Sequence, residues 1–560
     1  MKGQDAIIRL LEKAGVEVVF GLCGDTSLPY YESFHDLKPD IRHILTRDER
    51  SAGYMADAYA RLSGRVGVCE GPSGGGATYI LPGVAEANQS SVPLVCLTSD
   101  IASSQRGRGT LTELDQDALF APLTVYTATP ESGRDLPRAF REAFKGATTG
   151  ALGAGHIGLP LNTQADEVAE ADVFLNSRYG TYPVFRPVPD SRDLDLAAEA
   201  LLAAQKPLIV AGAGVLRSEA WAELTQVVEI LGCPAATSIG GKGAISEEHP
   251  YALGVIGSNG GLDFRHKLVR EADLIFQVGC GCGSVTTEKW TLPTNDGSKK
   301  FIQLDIDPAA LGRNYDLSIA LAGDARAGLA GLAEALTRRT GGEPATKWPP
   351  DLIPELRSEY LAGVEGLTSD ELPLRPERFV AELRAAMPDD GIIVCDPGTP
   401  TPFLAAYYPL PRAGRWFVAN RAHGALGCSL PASVGAHFAQ PDKKIVAVMG
   451  DGSFGFTCGE LETIRRYHVP VVLIVLANAS FGWIKAGQKV MGGKYFSVDF
   501  TPLDHAKIAR SFDIRARRVE TPDELKSSLE WALALDEPVL LDVPVQPLHE
   551  AQAPVSKWIA

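Results

Sequence analysis

The sequence predicts an α/β protein made of three doubly wound parallel-sheet domains. Three observations point there. The chain has 560 residues, well beyond what a single hydrophobic core organises. Strand-like apolar runs alternate with helical segments in three successive blocks, the pattern of parallel sheets covered by helices. Two proline-rich stretches, 182–190 (YPVFRPVPD) and 341–354 (GGEPATKWPPDLIP), read as linkers between the blocks. The expected domains span 1–170, 191–340 and 370–545, followed by a tail at 546–560.

In the first block, Met1-Lys2-Gly3-Gln4-Asp5 runs into a charged amphipathic helix and not into an apolar signal core. Further on, the turn Gly71-Pro72-Ser73 precedes a helical stretch, and Val92-Pro93 opens a strand. The third block repeats this arrangement: Gly450-Asp451-Gly452 precedes a helix, and Val469-Pro470 opens a strand. A duplicated α/β unit flanking a different middle block is the simplest account. In the middle block, apolar strands lead into Gly212-Ala213-Gly214, into Gly279 and into Asp305-Ile306-Asp307-Pro308. That block resembles a dinucleotide-binding sheet, with Asp305 at the position for a ribose or adenosine. The GAG turn lacks the full GxGxxG spacing, so FAD, ADP and no nucleotide at all stay open for this block.

A formal charge of −16 without a long basic run argues against a nucleic-acid surface. The longest apolar stretch, 469–477, is far short of a membrane span. The nine cysteines form no CxxC pair, and Cys280 and Cys282 are too close for zinc spacing. The expectation is a cytoplasmic protein with reduced, mostly buried thiols.

The chemistry concentrates in Gly450-Asp451-Gly452-Ser453-Phe454 and in Asn478, 27 positions after Asp451 (478 − 451). That spacing fits a turn, a helix and a strand that return both side chains to one sheet edge. A carboxylate and an amide oxygen there suit a hard cation such as Mg²⁺ carrying a diphosphate. The N–H groups of Gly452 and Ser453, opening the helix, would face the phosphates.

With these motifs in order, nearly the whole chain resembles the thiamine-diphosphate (ThDP) enzymes of the acetohydroxyacid synthase, pyruvate decarboxylase and benzoylformate decarboxylase superfamily. The family motif opens with GDG and closes with NN; here it closes with Ala477-Asn478, keeping the second, metal-binding Asn. The resemblance implies Asp451, Asn478 and the Ser480 carbonyl as metal ligands. It implies contacts to the cofactor from Gly450, Gly452, Ser453 and the Gly398-Thr399 turn. Arg47-Asp48-Glu49-Arg50-Ser51-Ala52 matches the Glu that heads an alanine-rich helix, so Glu49 is the implied partner of the pyrimidine N1′ and the catalytic acid/base. Arg421-Ala422-His423-Gly424-Ala425-Leu426-Gly427 matches the segment that cradles the aminopyrimidine. There the Gly424 carbonyl would accept from the 4′-amino group, and Leu426 would be the apolar wedge beneath the cofactor. The reaction implied runs through a thiazolium ylid and an enamine. The two cofactor halves normally sit on different subunits, implying a homodimer or homotetramer.

The branch of the superfamily is less sharply marked. Asp25 stands where decarboxylase-like members keep an active-site Asp, but the first domain has no His-His pair, and Ile484 replaces their acidic residue after the metal-binding Asn. An apolar residue there suits a carboligase. Thr112 stands in place of the Gln of acetohydroxyacid synthases, and Gly398-Thr399-Pro400 in place of their GQH. Segment 279–290 lacks their FAD-associated Arg-Phe-Asp run. The presence of Glu49 sets the chain apart from glyoxylate carboligase. His423 and Lys485 are further pocket candidates, Lys485 for an anionic substrate. The expected function is an acetolactate-synthase-like carboligase acting on a 2-oxo acid. The alternative is a 2-hydroxyacyl-CoA lyase, or a CoA-thioester or 2-oxo acid decarboxylase, whose tail would close over the site as a lid.

Overall fold

The computed structural model describes residues 1–558, and within them lie three six-stranded, wholly parallel sheets. Ile559 and Ala560, the end of the proposed lid, lie outside the described residues. In the first sheet the strand order across the sheet is Arg42–Leu45, Val18–Gly21, Gly67–Gly71, Leu94–Asp100, Ala154–Pro160, Tyr126–Ala128. In the third it is Phe417–Ala419, Ile392–Cys395, Ile445–Gly450, Val471–Ala477, Val539–Pro544, Arg515–Arg518. Numbered within each sheet, both follow the order 2-1-3-4-6-5, which gives the sequence-level duplication a structural counterpart. The middle sheet differs: Ile319–Ala322, Lys300–Asp305, Leu274–Val278, Pro207–Ala211, Ala235–Thr237, Ala252–Val255. Read from its other edge, that is 3-2-1-4-5-6, the order of dinucleotide-binding sheets.

The central strands are continuous apolar runs because helices cover both of their faces. Val471–Ala477 (VVLIVLA) is buried at every position but the last. The Glu49–Ser63 helix starts at Asp48, whose side chain accepts from the Arg50 N–H, and stops at Gly64 in the left-handed region. Its small residues allow close packing on both sides. A Cβ on Gly53 would lie 2.9 Å from the Gly83 Cα in the Leu81–Gln89 helix. A Cβ on Gly435, in the Ser429–Ala439 helix, would lie 2.0 Å from the Met55 carbonyl oxygen.

That last contact joins the first and third sheets' layers within one chain. Around it, the Arg47 N–H donates to the Glu460 carboxylate at 2.9 Å and the Leu45 N–H to the Tyr467 hydroxyl at 3.0 Å. The middle layer is tied to the third by backbone bonds from Gly414 to Gly243 and from Glu247 to Leu410, each 2.8 Å. Buried Lys242 donates to both Glu247 oxygens there, at 2.8 and 2.7 Å. The segment 341–354 is not linker throughout: the Leu352–Ala362 helix begins inside it, because Ile353 finds a buried site against the middle layer. The tail crosses from the third sheet to the middle layer, where Gly260 and Ser556 exchange backbone bonds with Pro554 and Ser258. Its Trp558 ring packs on Trp483 with centroids 4.9 Å apart. All nine cysteines are free. Among the described residues no helix is long and apolar enough to cross a membrane.

Gly435→Ala is expected to destabilise the contact between the two outer layers by about 1–3 kcal/mol, the usual cost of overpacking. Gly487→Ala, whose Cβ would enter open space in the Gly482–Val490 helix, is expected to stabilise by about 0.5–1 kcal/mol. Denaturant midpoints of the two variants measure the contrast.

Candidate active site

In an open α/β sheet the strand order reverses at one point, and the loops beyond the strand ends splay apart to form a crevice. In the third sheet that point lies between Ile392–Cys395 and Ile445–Gly450. The loops leaving these strands carry Gly398-Thr399 and Gly450-Asp451-Gly452-Ser453. Asp451 is 7% exposed and holds the second loop to the end of the neighbouring strand. Its Oδ1 accepts from the Gly452 N–H at 2.9 Å, and its Oδ2 accepts from Asn478 and Ala479 at 2.8 and 2.6 Å. Burial raises its pKa, while these N–H groups and nearby His505 oppose the rise. The Asn478 Oδ1 accepts from the Ser480 hydroxyl at 3.0 Å. Between them, Ala479 takes a positive φ of 53° that turns the loop.

This donor set is all oxygen, and the surrounding backbone is open. A Cβ on Gly450, Gly398 or Gly424 would meet nothing within 4 Å. Gly398 and Gly424 also have φ of +98° and +76°, which disfavour other residues. A Cβ on Gly482 would lie 3.4 Å from the Thr399 hydroxyl and 3.8 Å from the Asn478 Nδ2, so the Gly398 turn and the Asn478 loop converge. Gly452 is closed by Phe481, 2.9 Å from where its Cβ would be. Ser453 is buried at the start of the Asp451–Thr457 helix. The residues fit a hard cation with a diphosphate: oxygen ligands, helix-start N–H groups and room for the anion.

The segment 421–427 lies beside this helix, with the Thr457 hydroxyl donating to the Gly427 carbonyl at 2.9 Å. His423 and Gly424 are exposed and Leu426 is half-buried. Ile484, 55% exposed, stands on the next helix. Lys485 differs from the expectation of a free cation. Its ammonium donates to Asp499 at 2.7 Å and lies over Tyr495, so its charge is already balanced.

The matching point of the first sheet, between Val18–Gly21 and Gly67–Gly71, gathers the other predicted residues. Glu49 is 8% exposed, and its carboxylate takes a hydrogen bond from its own backbone N–H, with no other side chain bonded to it among the described residues. Burial raises its pKa, and the charges of Asp48 and Glu70 add to the rise. The glycine turn leaves space for it: a Cβ on Gly76 would come within 3.1 Å of its Oε1. Ser73 links Thr26 at 3.0 Å to Thr112 at 2.8 Å, and exposed Asp25 precedes Thr26. Thr112 holds φ of +67°. Among the described residues no hydrogen bond or ion pair connects Glu49 with Asp451, Asn478 or Thr399.

Two buried carboxylates escaped the sequence reading. Asp396 is fully buried and accepts from the N–H groups of Gly427, Cys428 and Ser429. Glu86 accepts from the N–H groups of Arg421, Ala422 and His423. A lone charge in the otherwise uncharged Leu81–Gln89 helix was the available signal for Glu86.

At the reversal point of the middle sheet lies a cavity of about 520 Å³. Gly212, Gly279, Asp305, Arg217 and Arg421 are among its lining residues. Burial pushes the Arg217 guanidinium down to about 10, and among the described residues no carboxylate pairs with it; it donates to the Ser90, Ser91 and Ala213 carbonyls. Asp305 accepts from the Asp307 N–H at 3.0 Å, and burial raises its pKa.

The sequence matches three family models described as thiamine pyrophosphate enzyme domains. These are the N-terminal TPP binding domain over residues 1–119, the central domain over 194–332 and the C-terminal TPP binding domain over 396–543. The chain is 34% identical to a probable acetolactate synthase large subunit of Methanococcus aeolicus, over 98% of this chain and 92% of that protein. It is 30% identical to an acetolactate synthase of Mycobacterium bovis, over 97% and 88%. It is 27% identical to a glyoxylate carboligase of Escherichia coli O157:H7, over 96% and 91%. The chain therefore belongs to the thiamine pyrophosphate enzymes.

The raised pKa of Glu49 has a sign that can be checked. A carboxyl group with a higher pKa folded than unfolded binds more protons in the native state, so stability falls as pH rises between the two values. Glu49→Gln removes that loss. Its denaturant midpoint is expected to gain on wild type as pH rises from about 4 to about 7.

Proposed function

We propose that the chain is a ThDP- and Mg²⁺-dependent carboligase acting on a 2-oxo acid, in the manner of an acetolactate synthase. The observation that carries this reading is the convergence of the Asp451–Asn478 loop, whose side-chain ligating groups are oxygens, with the Gly398-Thr399 turn. Asp451 and Asn478 would hold the cation. Thr399 and the Ser453 N–H would hold the diphosphate beside Gly452, whose own N–H is given to Asp451. The family relationship and its acetolactate synthase members support the same reading. When bound, ThDP supplies a carbon nucleophile and an electron sink.

The protein's own residues do the rest. Glu49, with few hydrogen-bond partners and raised in pKa by burial, would hold a proton toward the cofactor's pyrimidine. The Gly424 carbonyl and Leu426 would orient the bound cofactor. Ile484 offers no proton to the bound reactant, which favours attack on a second carbonyl over early protonation. Asp25 and Thr112, joined to the glycine turn through Thr26 and Ser73, would line the same pocket.

Among the described residues Glu49 and the Asp451 cluster share no hydrogen bond, which favours a site completed by a second copy in a homodimer or homotetramer. Exposed apolar residues support this on both half-sites: Leu28, Tyr79 and Leu111 on one, Met491 and Phe496 on the other. The three domains would span 1–170, 191–340 and 370–545. The 3-2-1-4-5-6 order of the middle sheet, its cavity, Asp305 and the unpaired Arg217 support a nucleotide such as FAD or ADP there.

Mass spectrometry of products tests the reading. With ThDP, Mg²⁺ and pyruvate, acetolactate is expected, and Glu49→Gln is expected to bind cofactor yet turn over about 10²–10⁴-fold more slowly. Wild-type turnover by that variant would contradict the mechanism. Unconsumed pyruvate with fully loaded protein would contradict the substrate and favour a CoA thioester.

A further inference from the structure

Residues 421–427 form neither helix nor strand, and Ala422, His423 and Gly424 are exposed. A segment of this kind is free to move unless its backbone groups are held. It is held at both ends by buried carboxylates. Glu86, 1% exposed, reaches its first half from the Leu81–Gln89 helix of the N-terminal layer. The Glu86 oxygens accept from Arg421 at 3.2 Å, from Ala422 at 3.1 Å and from His423 at 2.8 Å. Three successive N–H groups in irregular backbone make an anion nest, here filled by the protein's own carboxylate.

Glu86 is itself fixed by Arg61 at 3.1 Å and by the Ser90 hydroxyl at 2.8 Å. Arg61 is in turn paired with buried Asp57 at 2.8 Å and lies on the helix that Glu49 heads. Asp396 holds the far end through Gly427, Cys428 and Ser429, at 2.9, 3.1 and 3.1 Å. Between the two anchors, the N–H groups of Gly424, Ala425 and Leu426 make no hydrogen bond among the described residues.

We propose that Glu86 is a positioning residue whose buried carboxylate sets the 421–427 segment, and with it Gly424 and Leu426, from the N-terminal layer of the same chain. Its consequence for turnover rests on the function proposed above; its hold on the backbone does not. The layer that offers Glu49 thus also shapes the opposite half-site through Arg61 and Glu86. A carboxylate accepting several N–H groups is worth more than neutral bonds, and its loss leaves three backbone donors without an acceptor.

Residue-resolved hydrogen exchange on the full chain without cofactor tests the hold itself. In wild type, the amides of 421–423 and 427–429 are expected to exchange at least about tenfold more slowly than those of 424–426, the factor that bonds to a charged acceptor are worth. Glu86→Gln is expected to remove protection at 421–423 only, leaving 427–429 in place. Equal rates across 421–426 in wild type would overturn the proposal, even if the variant failed to fold. So would a variant whose exchange rises uniformly over both layers, or not at all. In the loaded enzyme the variant is expected to lose on the order of 10–100-fold in kcat with little change in KM. Unchanged kcat alongside lost protection would overturn the positioning role. Absence of carboligase activity in wild type itself would instead count against the proposed function.

Discussion

Asp451 ties the end of one strand to the loop beyond the next through the N–H groups of Asn478 and Ala479, and accepts from its neighbour Gly452 as well. Everything in the C-terminal half-site hangs from that tie. It sits at the helix start that bears Gly452 and Ser453, and it holds the Asn478 loop beside the Gly398-Thr399 turn. A carboxylate buried this deeply is costly unless its charge is answered, and here backbone dipoles answer part of it. The remainder is an oxygen-rich position suited to a cation. Structural and ligand-binding demands therefore fall on one side chain.

The outer sheets share a strand order, and in each the reversal point lies between the first and third strands in sequence. One crevice collects a carboxylate-amide cluster and open glycines. The other collects a buried Glu beside a glycine turn. On the proposed function, each would be half of a site. Within one chain the two outer layers meet instead through the Glu49–Ser63 and Ser429–Ala439 helices, so close that Gly435 has no room for a side chain. That contact joins the layers, and Arg61 and Glu86 run across it to the segment that carries Gly424.

Much of this was legible in the sequence because its signals are local. An apolar run leading into Gly279 and the Val92-Pro93 pair each announced a strand, and the observed strands Leu274–Val278 and Leu94–Asp100 lie there. The Asp451–Asn478 spacing reads directly as turn, helix and strand. What stayed hidden depends on contacts distant in sequence. Glu86 meets residues more than 330 positions away, and nothing near it names its acceptor role. The Lys485–Asp499 pair required knowing how the chain folds back after the Gly482–Val490 helix. The helix at Leu352 was masked by proline, which fits the first turn of a helix as readily as a linker.

The central claim is that a working site needs Glu49 from one copy and the Asp451 cluster from another. The direct test is complementation: Glu49→Gln and Asp451→Ala chains, each inactive alone, are co-expressed and the mixed assemblies isolated. In a mixed dimer one site carries both defects and the other carries neither. The account predicts that mixed assemblies regain turnover. Mixed assemblies that form, bind cofactor and stay inactive would contradict it.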